Sequence, residues 1–467
     1  MAQTANSDQT SGVSNFQKEA EKNSAKAVKT TIGVQSFNYA NSYDSQNAEQ
    51  NPYQENDLHL DIQVFKAINK YEVFGQALFD HDMNREKNAA FAIPTLGVNY
   101  YFAEGNKTFT ELSIGRTIHY TSRIDQDLHL GLIHPYYTMD ELNYTTQGLT
   151  GFEFIQEEKN FGFLIGYYPL FLPNQSPSVN FNNGQTISQN RWSKQPPKLF
   201  LFNGQEKAID YQIDNYNESQ VMNHGTVRLD LKGKLDTSEL TLGYKRGPLD
   251  DIPLSRETYA NLDVVGQVKL GPDVTYSSQY TADAKFDFSK ANLYFSYIKD
   301  IPDHLTAPVG RSVQTLSDLE IRGVTLESKP VVVSGLDQTF YITYAVLSNG
   351  LITDLNSDGS ENIFTFSKYR QQYFHPLKVG AKNSFYFLLA HPVQTNLEYT
   401  YDATQKGSIL SAQSTYALGS FYGGDLVKVS VGFDILGSAY NADDYSDYFI
   451  SHYQANDRVY GGVQYVF

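Results

Sequence analysis

The sequence contains no cysteine among its 467 residues. A soluble secreted protein of this length usually carries disulfides. A chain without thiols is instead typical of a protein that folds after it has crossed an oxidising periplasm.

Long apolar runs are also missing. The longest, FGFLIGYYPLFL at 161–172, is too short for a transmembrane helix, which needs about 18 apolar residues, and it ends at a proline. The first residues, MAQTANSDQTSG, have neither the basic start nor the apolar centre of a signal peptide. We therefore expect a mature N-terminus from which a secretory signal peptide has been removed.

Positive charge is scarce, with 36 Lys and Arg against 52 Asp and Glu and a net charge of -16. This balance argues against nucleic acid as a partner. No G-x-S-x-G motif, phosphate loop or dinucleotide fingerprint is present, so no enzyme activity is predicted. Helical patterning is nearly confined to 15–29, which predicts a polar, helical segment at 1–29 before the first strand.

A period of two dominates the rest of the chain. Apolar and polar residues alternate in DLHLDIQV (57–64), TVRLDLKGKL (226–235), NLEYTYD (396–402) and LVKVSVGFD (426–434). Roughly 16 to 20 such segments are too much apolar strand surface for one sandwich core. A closed barrel in lipid, apolar outside and wet inside, accommodates them, and the 35 tyrosines and 29 phenylalanines suit its interfacial girdles.

The chain ends in DRVYGGVQYVF, with Val459, Gly461, Val463, Tyr465 and Phe467 on every second position. This end resembles the closing strand of Gram-negative outer-membrane β-barrels of the porin-like class, although Gly461 is a weak match. The resemblance implies an all-β fold: an antiparallel up-and-down transmembrane barrel with short periplasmic turns and long extracellular loops. It also implies that Val463, Tyr465 and Phe467 are an assembly signal for the barrel assembly machinery, and that outer-membrane lipids and lipopolysaccharide surround the barrel. Homotrimers are common in this class.

The length of the chain predicts a barrel at 30–467 of about 16–18 strands, with 18 preferred, a size that leaves an aqueous channel. Long inserts are predicted at 120–146, 169–222, 301–316 and 437–457. In porin-like proteins an acidic loop folded into the lumen faces a basic wall and forms the constriction. The candidate acidic loop residues are Asp125, Asp127, Asp140 and Glu141. The candidate basic wall is Arg228, Lys232 and Lys234, with Lys245 and Arg246 beside it.

Two functions from different classes follow. The first is a channel for passive diffusion of ions and small hydrophilic solutes. The second is a barrel occluded by its own loops that binds glycans or proteins at the surface or has a structural role. Trp192, the single tryptophan, lies in a polar loop where it either stacks on a sugar or, more commonly, anchors the loop.

Metal sites are weakly indicated. DLNSDGSEN places Asp354, Asn356, Asp358, Ser360 and Asn362 at the spacing that begins a calcium loop. Position 12 is Thr365 rather than Glu, and strands flank the motif, so a hairpin turn is favoured over a structural calcium. His119, His129 and His134 lie near Asp125 and Asp127 without diagnostic metal-ligand spacing. No other cofactor is predicted.

Overall fold

The computed structural model describes most of the chain. The described residues are 28–40, 53–84, 89–104, 108–176, 180–182, 185–187, 190–193, 199–202, 205–213, 218–251, 254–260, 265–333, 336–361, 368–386, 392–421, 425–440 and 447–467. The helical segment predicted at 1–29 lies outside them up to residue 27, and the first strand begins at Val28.

Eighteen long strands pair edge to edge in one antiparallel ring. Numbered in chain order with the shorter strands of the connections, they are β1 (Val28–Tyr39), β2 (Gln54–Ile68), β3 (Tyr71–Asp82), β4 (Ala89–Glu104), β5 (Thr108–Thr117), β8 (Leu149–Glu158), β9 (Phe161–Leu170), β14 (Thr226–Leu235), β15 (Ser238–Pro248), β18 (Tyr276–Asp287), β19 (Ala291–Pro302), β21 (Leu319–Ser328), β23 (Leu336–Asn349), β25 (Pro376–Tyr386), β26 (Pro392–Asp402), β27 (Gly407–Phe421), β28 (Asp425–Ser438) and β29 (Arg458–Val466).

Closure comes from the two ends of the chain. β29 pairs with β28 on one side and with β1 on the other, over Thr31↔Val466 to Tyr39↔Arg458. No barrel strand is therefore left with an unpaired edge, which is the condition for strands to span a bilayer. The predicted closed antiparallel barrel, with 18 strands, is confirmed.

Alternation along each strand separates the two surfaces of the ring. In β14, the side chains of Val227, Leu229 and Leu231 are 45%, 39% and 40% exposed, whereas those between them, Arg228 and Asp230, are 2% and 6% exposed. Residues directly opposite in a ladder share a face, so the pattern passes from strand to strand. The outside is thus apolar and the charged side chains point into the lumen, as a barrel in lipid requires.

Connections at the two ends of the barrel differ in length. Turns at the end where β1 begins are short, as at 69–70, 159–160 and 236–237. The opposite end carries the long connections 118–148, 171–225, 249–275, 303–318, 350–375 and 439–457. This is the arrangement of short periplasmic turns and long extracellular loops.

Shorter elements belong mostly to these long connections. The strands are β6 (Tyr136–Asp140), β7 (Asn143–Thr146), β10 (Asn180–Asn182), β11 (Gln185–Ile187), β12 (Leu199–Phe202), β13 (Gln205–Ile213), β16 (Leu254–Ala260), β17 (Val265–Pro272), β20 (Ser312–Leu316), β22 (Val331–Val333) and β24 (Ile352–Asn356). The helices are α1 (Arg123–Leu128), α2 (Glu218–Met222) and α3 (Phe449–Tyr453), followed by a 3-10 turn at Gln454–Asn456. Among the described residues, no helix is long and apolar enough to cross a membrane.

A second sheet joins four of the long connections. Its order is β12-β13-β17-β16-β20-β24, and its core contains Ile209, Tyr211, Val268 and Leu270. Arg256 of β16 and Asp354 of β24 form a buried ion pair within it. Separate stretches of chain thus hold one another in place at the long-connection end of the barrel.

Candidate functional site in the barrel lumen

The connection 118–148, called the insert below, enters the lumen. Its helix α1 places Ile124 and Leu128 in an apolar cluster with Ile298, Ile321 and Ala345 of the inner wall. All five side chains are buried. The insert is therefore packed against β19, β21 and β23, since burial of apolar surface favours this position over a solvated one.

Asp125 stabilises the turn that follows α1. Its carboxylate accepts the backbone N–H groups of Leu132 at 3.1 Å and Ile133 at 3.4 Å. Burial raises the pKa of Asp125, and these two hydrogen bonds partly oppose that rise. The first predicted acidic residue is thus an internal acceptor of the insert.

Asp127 ties the insert to the barrel wall. Its carboxylate pairs with Arg123 at 2.9 Å and accepts the hydroxyls of Thr325 at 2.8 Å and Thr343 at 3.1 Å. Lys378 donates to the Asp127 carbonyl oxygen at 3.1 Å. Side chains from β21, β23 and β25 therefore fix this end of α1.

Asp140 and Glu141 lie at the turn between β6 and β7. Asp140 pairs with Arg458 at 2.6 Å, and Arg458 also pairs with Asp434 at 2.7 Å. Glu141 accepts from Tyr144 and from Gln372, both at 2.9 Å. Burial raises the pKa of Glu141 to about 7, against the lowering effect of the Tyr144 hydrogen bond.

The predicted basic wall divides into two parts. Arg228 is buried, pairs with Asp230 at 2.8 Å and donates to the His119 carbonyl oxygen at 2.5 Å. Lys232 and Lys234 instead pair with carboxylates of neighbouring strands, with shortest distances of 3.1 Å and 3.3 Å. Of the three predicted basic residues, only Arg228 is brought against the insert.

Lys245 is a further contact that the sequence placed only beside the wall. Its ammonium donates to the carbonyl oxygens of Leu132 and Ile133, each at 3.0 Å, and pairs with Asp250 at 3.1 Å. Arg228 and Lys245 are directly opposite one another in the β14–β15 ladder. Both cations therefore donate to carbonyl oxygens of the insert, and Lys245 does so at the turn that Asp125 stabilises.

The three histidines of the insert have different surroundings. His119 pairs with Glu153 at 2.8 Å, and although burial lowers its pKa, this carboxylate raises it above the usual value. Burial lowers the pKa of His129 to about 4, and burial together with Arg228 lowers that of His134. In the part of the chain that the structure describes, no three His, Cys, Asp or Glu side chains are grouped to hold a metal ion.

The predicted calcium motif spans a strand end and a tight turn. Asp354 is buried against Arg256. In the turn, the Asn356 side chain donates to Ser360 at 2.9 Å and the Ser360 hydroxyl to Asp358 at 2.6 Å. Asn362 lies outside the described residues. The calcium site stays a prediction, with one of its ligands already held by an arginine.

Trp192 lies inside the barrel rather than at a solvated surface. It packs in an apolar cluster with Ile409, Leu436 and Ile450, and the Tyr453 hydroxyl donates to its carbonyl oxygen at 2.8 Å. Segment 190–193 and helix α3 are thereby anchored to β27 and β28. Of the two roles considered for Trp192, sugar stacking and loop anchoring, these contacts correspond to anchoring.

The last strand presents its alternate residues outward. Val459, Val463, Tyr465 and Phe467 are 58%, 52%, 41% and 43% exposed. Phe467 exchanges two backbone hydrogen bonds with Thr30, at 2.9 Å and 3.0 Å. The residues of the predicted assembly signal therefore lie on the surface that faces lipid, beside the seam where the barrel closes.

The sequence analysis missed a group of acidic side chains on two neighbouring strands. We call it the acidic arc. Its members are Glu55, Asp57 and Asp61 of β2 and Glu72, Asp80 and Asp82 of β3. In these two fully described strands, the inward positions carry no Lys or Arg. The period of two in DLHLDIQV already placed Asp57 and Asp61 on the polar face, but only the β2–β3 register brings the six carboxylates together.

No family model matches the chain, and no curated protein matches its sequence. Solved structures match over nearly its whole length. Wzi, an outer-membrane protein involved in group 1 capsule assembly in Escherichia coli and described as a carbohydrate-binding β-barrel, is 9% identical with a TM-score of 0.45, covering 96% of this chain and 86% of Wzi. OccAB3 of Acinetobacter baumannii is 10% identical, with a TM-score of 0.44 and coverage of 94% and 99%. OpdK of Pseudomonas aeruginosa is 10% identical, with a TM-score of 0.42 and coverage of 94% and 98%. Such similarities are too weak to say what this chain binds.

The barrel itself defines the class of protein. A closed ring of 18 strands, an apolar outer surface and a charged lumen together make a transmembrane β-barrel of the outer-membrane, porin-like class. Its location is the bacterial outer membrane. No narrower family is defined by these features.

Proposed function

We propose that the chain is an outer-membrane channel for passive diffusion of ions and small hydrophilic solutes, with a preference for cations. The observation that carries this proposal is the acidic arc, whose six carboxylates lie on the inner face of two adjacent strands that carry no inward Lys or Arg. Two of the six, Asp57 and Asp80, are partly exposed. A wall of one charge sign raises the local concentration of counter-ions and lowers the barrier to their passage.

The insert supplies the narrow part of this path. Its helix α1 packs against β19, β21 and β23, while Tyr137 of β6 reaches the other side of the lumen and donates to Asp80 of the acidic arc at 2.8 Å. Asp125, Asp127, Asp140 and Glu141 then act mainly by holding the insert in position, since each has hydrogen-bond or ion-pair partners. Transport needs no covalent step, so we assign no catalytic residue.

The surroundings follow from the same assignment. Outer-membrane lipids and lipopolysaccharide contact the apolar outer surface, and the barrel assembly machinery reads Val463, Tyr465 and Phe467. A homotrimer is the common assembly of this class. Each of these partners is part of the proposal.

An occluded barrel is the second candidate, and one observation favours it. Two apolar clusters fill lumen space between inserts and wall, one around Ile124 and Ile321 and one around Trp192 and Ile450. If the inserts close the bore completely, the exposed ends of the long connections carry the function, as a surface for glycans or proteins.

Single-channel recording separates the two candidates. The folded protein is inserted into a planar lipid bilayer and the current is measured under a salt gradient. Stepwise, ohmic current with a reversal potential on the cation side supports the channel. Silence from protein that migrates as a folded barrel on an unheated gel supports the occluded barrel, and an anion-biased reversal potential contradicts the role given to the acidic arc.

A further inference from the structure

The apolar outer surface of the barrel carries few cations, and most of them lie together. In the ring strands that the structure describes, the outward-facing Lys and Arg side chains that are not buried are Lys66, Arg246, Lys299 and Arg322. Lys66 is close to the short-turn end of β2. The other three are within three residues of the long-connection ends of β15, β19 and β21. We call these three the outer basic patch.

Strand alternation and register place Lys299 and Arg322 side by side. Lys299 lies between Ile298 and Asp300, which point inward and are both 0% exposed, so its own side chain points outward. It is directly opposite Glu320 in the β19–β21 ladder, and Arg322 is two residues further along β21. Such diagonal neighbours have Cα atoms about 7–8 Å apart, within reach of one ligand group for two long side chains.

Arg246 lies on the same surface, two strands away. It is directly opposite Ser278 of β18, which is in turn opposite Ile301 of β19. Because neighbouring strands are about 4.8 Å apart, Arg246 is roughly 10 Å across the sheet from β19. The outer basic patch therefore presents two separate positive groups, one made by Lys299 with Arg322 and the other by Arg246.

Tyrosines show where this patch lies relative to the bilayer. On β15 and β19, the next outward residues toward the middle of the barrel are Tyr244 and Tyr297, two positions from Arg246 and Lys299. Tyr244 packs against Tyr280 of β18, with ring centroids 5.3 Å apart. Tyrosines on a lipid-facing surface mark the membrane–water interface. The cations therefore lie on the headgroup side of this row, where charge on the outer surface costs little.

The positive charge of the patch is only partly neutralised by the protein. Arg246 pairs with Asp303 and Arg322 with Glu320, each at 2.5 Å, and 72% of the Arg322 side chain stays exposed. No hydrogen bond or ion pair of Lys299 is found among the described residues. Exposed ion pairs contribute little stability, so another anion can compete for these two arginines. Three cations against two carboxylates leave a net positive charge at the level of the headgroups.

A phosphorylated lipid fits this position better than a second copy of the chain. Guanidinium and ammonium groups bind phosphate through charge-assisted hydrogen bonds, and basic clusters beside a membrane attract anionic headgroups. A second copy would need an acidic patch on its own outer surface at the same level. Toward the long-connection ends of the described ring strands, however, Glu320 is the only outward-facing carboxylate.

We propose that the outer basic patch binds the headgroup of lipopolysaccharide, a disaccharide that carries a phosphate at each end. Lys299 and Arg322 hold one phosphate, and Arg246 holds the other. The inference rests on the proposed contact between the barrel and lipopolysaccharide, to which it adds a site and its chemistry. It does not rest on conduction, because the patch is on the outer surface and the channel path is in the lumen.

Lipid A, the membrane anchor of lipopolysaccharide, is the probe. Folded protein in a neutral detergent is mixed with lipid A, or with the same lipid after removal of both phosphates. Bound copies are counted by native mass spectrometry over a concentration series. We expect lipid A to bind about tenfold or more tighter than the dephosphorylated lipid, because it alone offers phosphates to the patch. Both lipids have the same acyl chains, so equal binding overturns the site but not the general contact with lipopolysaccharide.

A matched pair of variants locates the site. Lys299→Gln should weaken lipid A binding about fivefold, whereas Lys66→Gln, outward-facing at the other end of the barrel, should leave it within about twofold. Replacing Arg246, Lys299 and Arg322 together with Gln should weaken it about tenfold or more. Equal effects of the two single variants contradict the proposal.

The same mass spectra count the protein chains in each particle. An oligomer that the triple variant dissociates, with lipid A binding unchanged, would assign the outer basic patch to a contact between copies and overturn the proposal. The comparison of the two lipids needs no variant, so it decides even if the triple variant does not fold. Single-channel recording tests conduction separately, so loss of either result leaves the other standing.

Discussion

Two parts of the same barrel wall carry inward charges of opposite sign with different partners. On β14 and β15, Arg228 and Lys245 are buried and bound to carboxylates and to carbonyl oxygens of the insert. On β2 and β3, the six carboxylates of the acidic arc have no inward Lys or Arg on their own strands. The first region uses cations to hold the insert in place, whereas carboxylates of the second have tyrosine and histidine partners, as in Tyr39–Glu55 and His59–Asp80.

Buried charges occur in both regions, but their partners differ. A buried ion needs a partner of opposite charge and further hydrogen bonds, because its desolvation is otherwise too costly. Arg228, only 2% exposed, has both. In the acidic arc, Asp57 and Asp80 are partly exposed, whereas the other four carboxylates are buried. The comparison predicts that substitutions in the two regions affect different properties, namely stability near β14–β15 and ion selectivity near β2–β3.

The largest effect is expected for Arg228→Met. Removing the guanidinium leaves Asp230 buried without its partner and releases the His119 carbonyl oxygen. We expect a loss of about 3–5 kcal/mol in the free energy of unfolding. Urea unfolding in lipid vesicles, followed by Trp192 fluorescence, measures this loss.

Lys232→Met is the control for that prediction. Lys232 is on the same strand, but its ion pairs with Glu157 and Glu239 are partly exposed. The expected loss is below about 1 kcal/mol. The double variant Arg228→Met with Asp230→Leu should recover much of the stability, since neither buried charge remains. Equal losses for Arg228→Met and Lys232→Met would contradict the division of the basic wall.

A smaller effect is the pH dependence of stability that Glu141 of the insert produces. Burial raises the pKa of Glu141 to about 7, so the folded state holds a proton that the unfolded chain has already lost. The group therefore favours the folded state at low pH, and this contribution is lost as pH rises from about 4.5 to about 7. Because the side chain is only partly buried, we expect a decrease of about 1–2 kcal/mol over this window.

Glu141→Gln tests this pH dependence. The amide keeps an acceptor for Tyr144 and Gln372 and cannot ionise, so the decrease between about pH 4.5 and 7 should shrink. Unfolding free energies measured at several pH values provide the comparison. An unchanged slope in the variant would assign the effect to other groups.

Ion selectivity should distinguish the two walls if the lumen conducts. Replacing Asp57, Asp61 and Asp80 together with Asn should lower the cation-to-anion permeability ratio about two- to fivefold, equivalent to about 0.4–1 kcal/mol per ion. Replacing Lys232 and Lys234 with Gln should change it less, because wall carboxylates already neutralise these cations. Reversal potentials in a salt gradient provide both ratios, and a larger shift for the lysine pair would reverse the comparison.

The smallest effect is expected at the predicted calcium motif. Asp354 is held by Arg256, and Asp358 is hydrogen-bonded within its own exposed turn. Adding calcium, or removing it with a chelator, should change the unfolding free energy by less than about 0.5 kcal/mol, as for an ordinary surface change. Stabilisation by calcium that Asp358→Asn abolishes would show that the motif binds the ion.

The sequence predicted the barrel well because its signal is local. The alternation of Leu58, Leu60 and Ile62 with charged residues shows which face of a strand meets lipid, without knowledge of its neighbours. The outward positions of Val463, Tyr465 and Phe467 follow from the same period. Strand number followed from chain length and from the number of alternating segments.

Contacts inside the lumen could not be predicted in the same way. Arg228 meets His119, and Trp192 meets Tyr453, across more than a hundred residues of chain. The pairing of Asp354 with Arg256 likewise depends on a sheet assembled from separate connections. Composition showed that 120–146 is acidic, but not that its carboxylates would bind within the insert and to the barrel wall.

The seam between β1 and β29 also bears on how the protein is made. Since the first strand of the ring is paired by the last, its partner is synthesised and exported after every other strand. Until then β1 exposes a free edge, which invites pairing with other chains. A nascent barrel of this connectivity therefore depends on a helper that shields that edge, and it is most vulnerable to aggregation just before its final hairpin arrives.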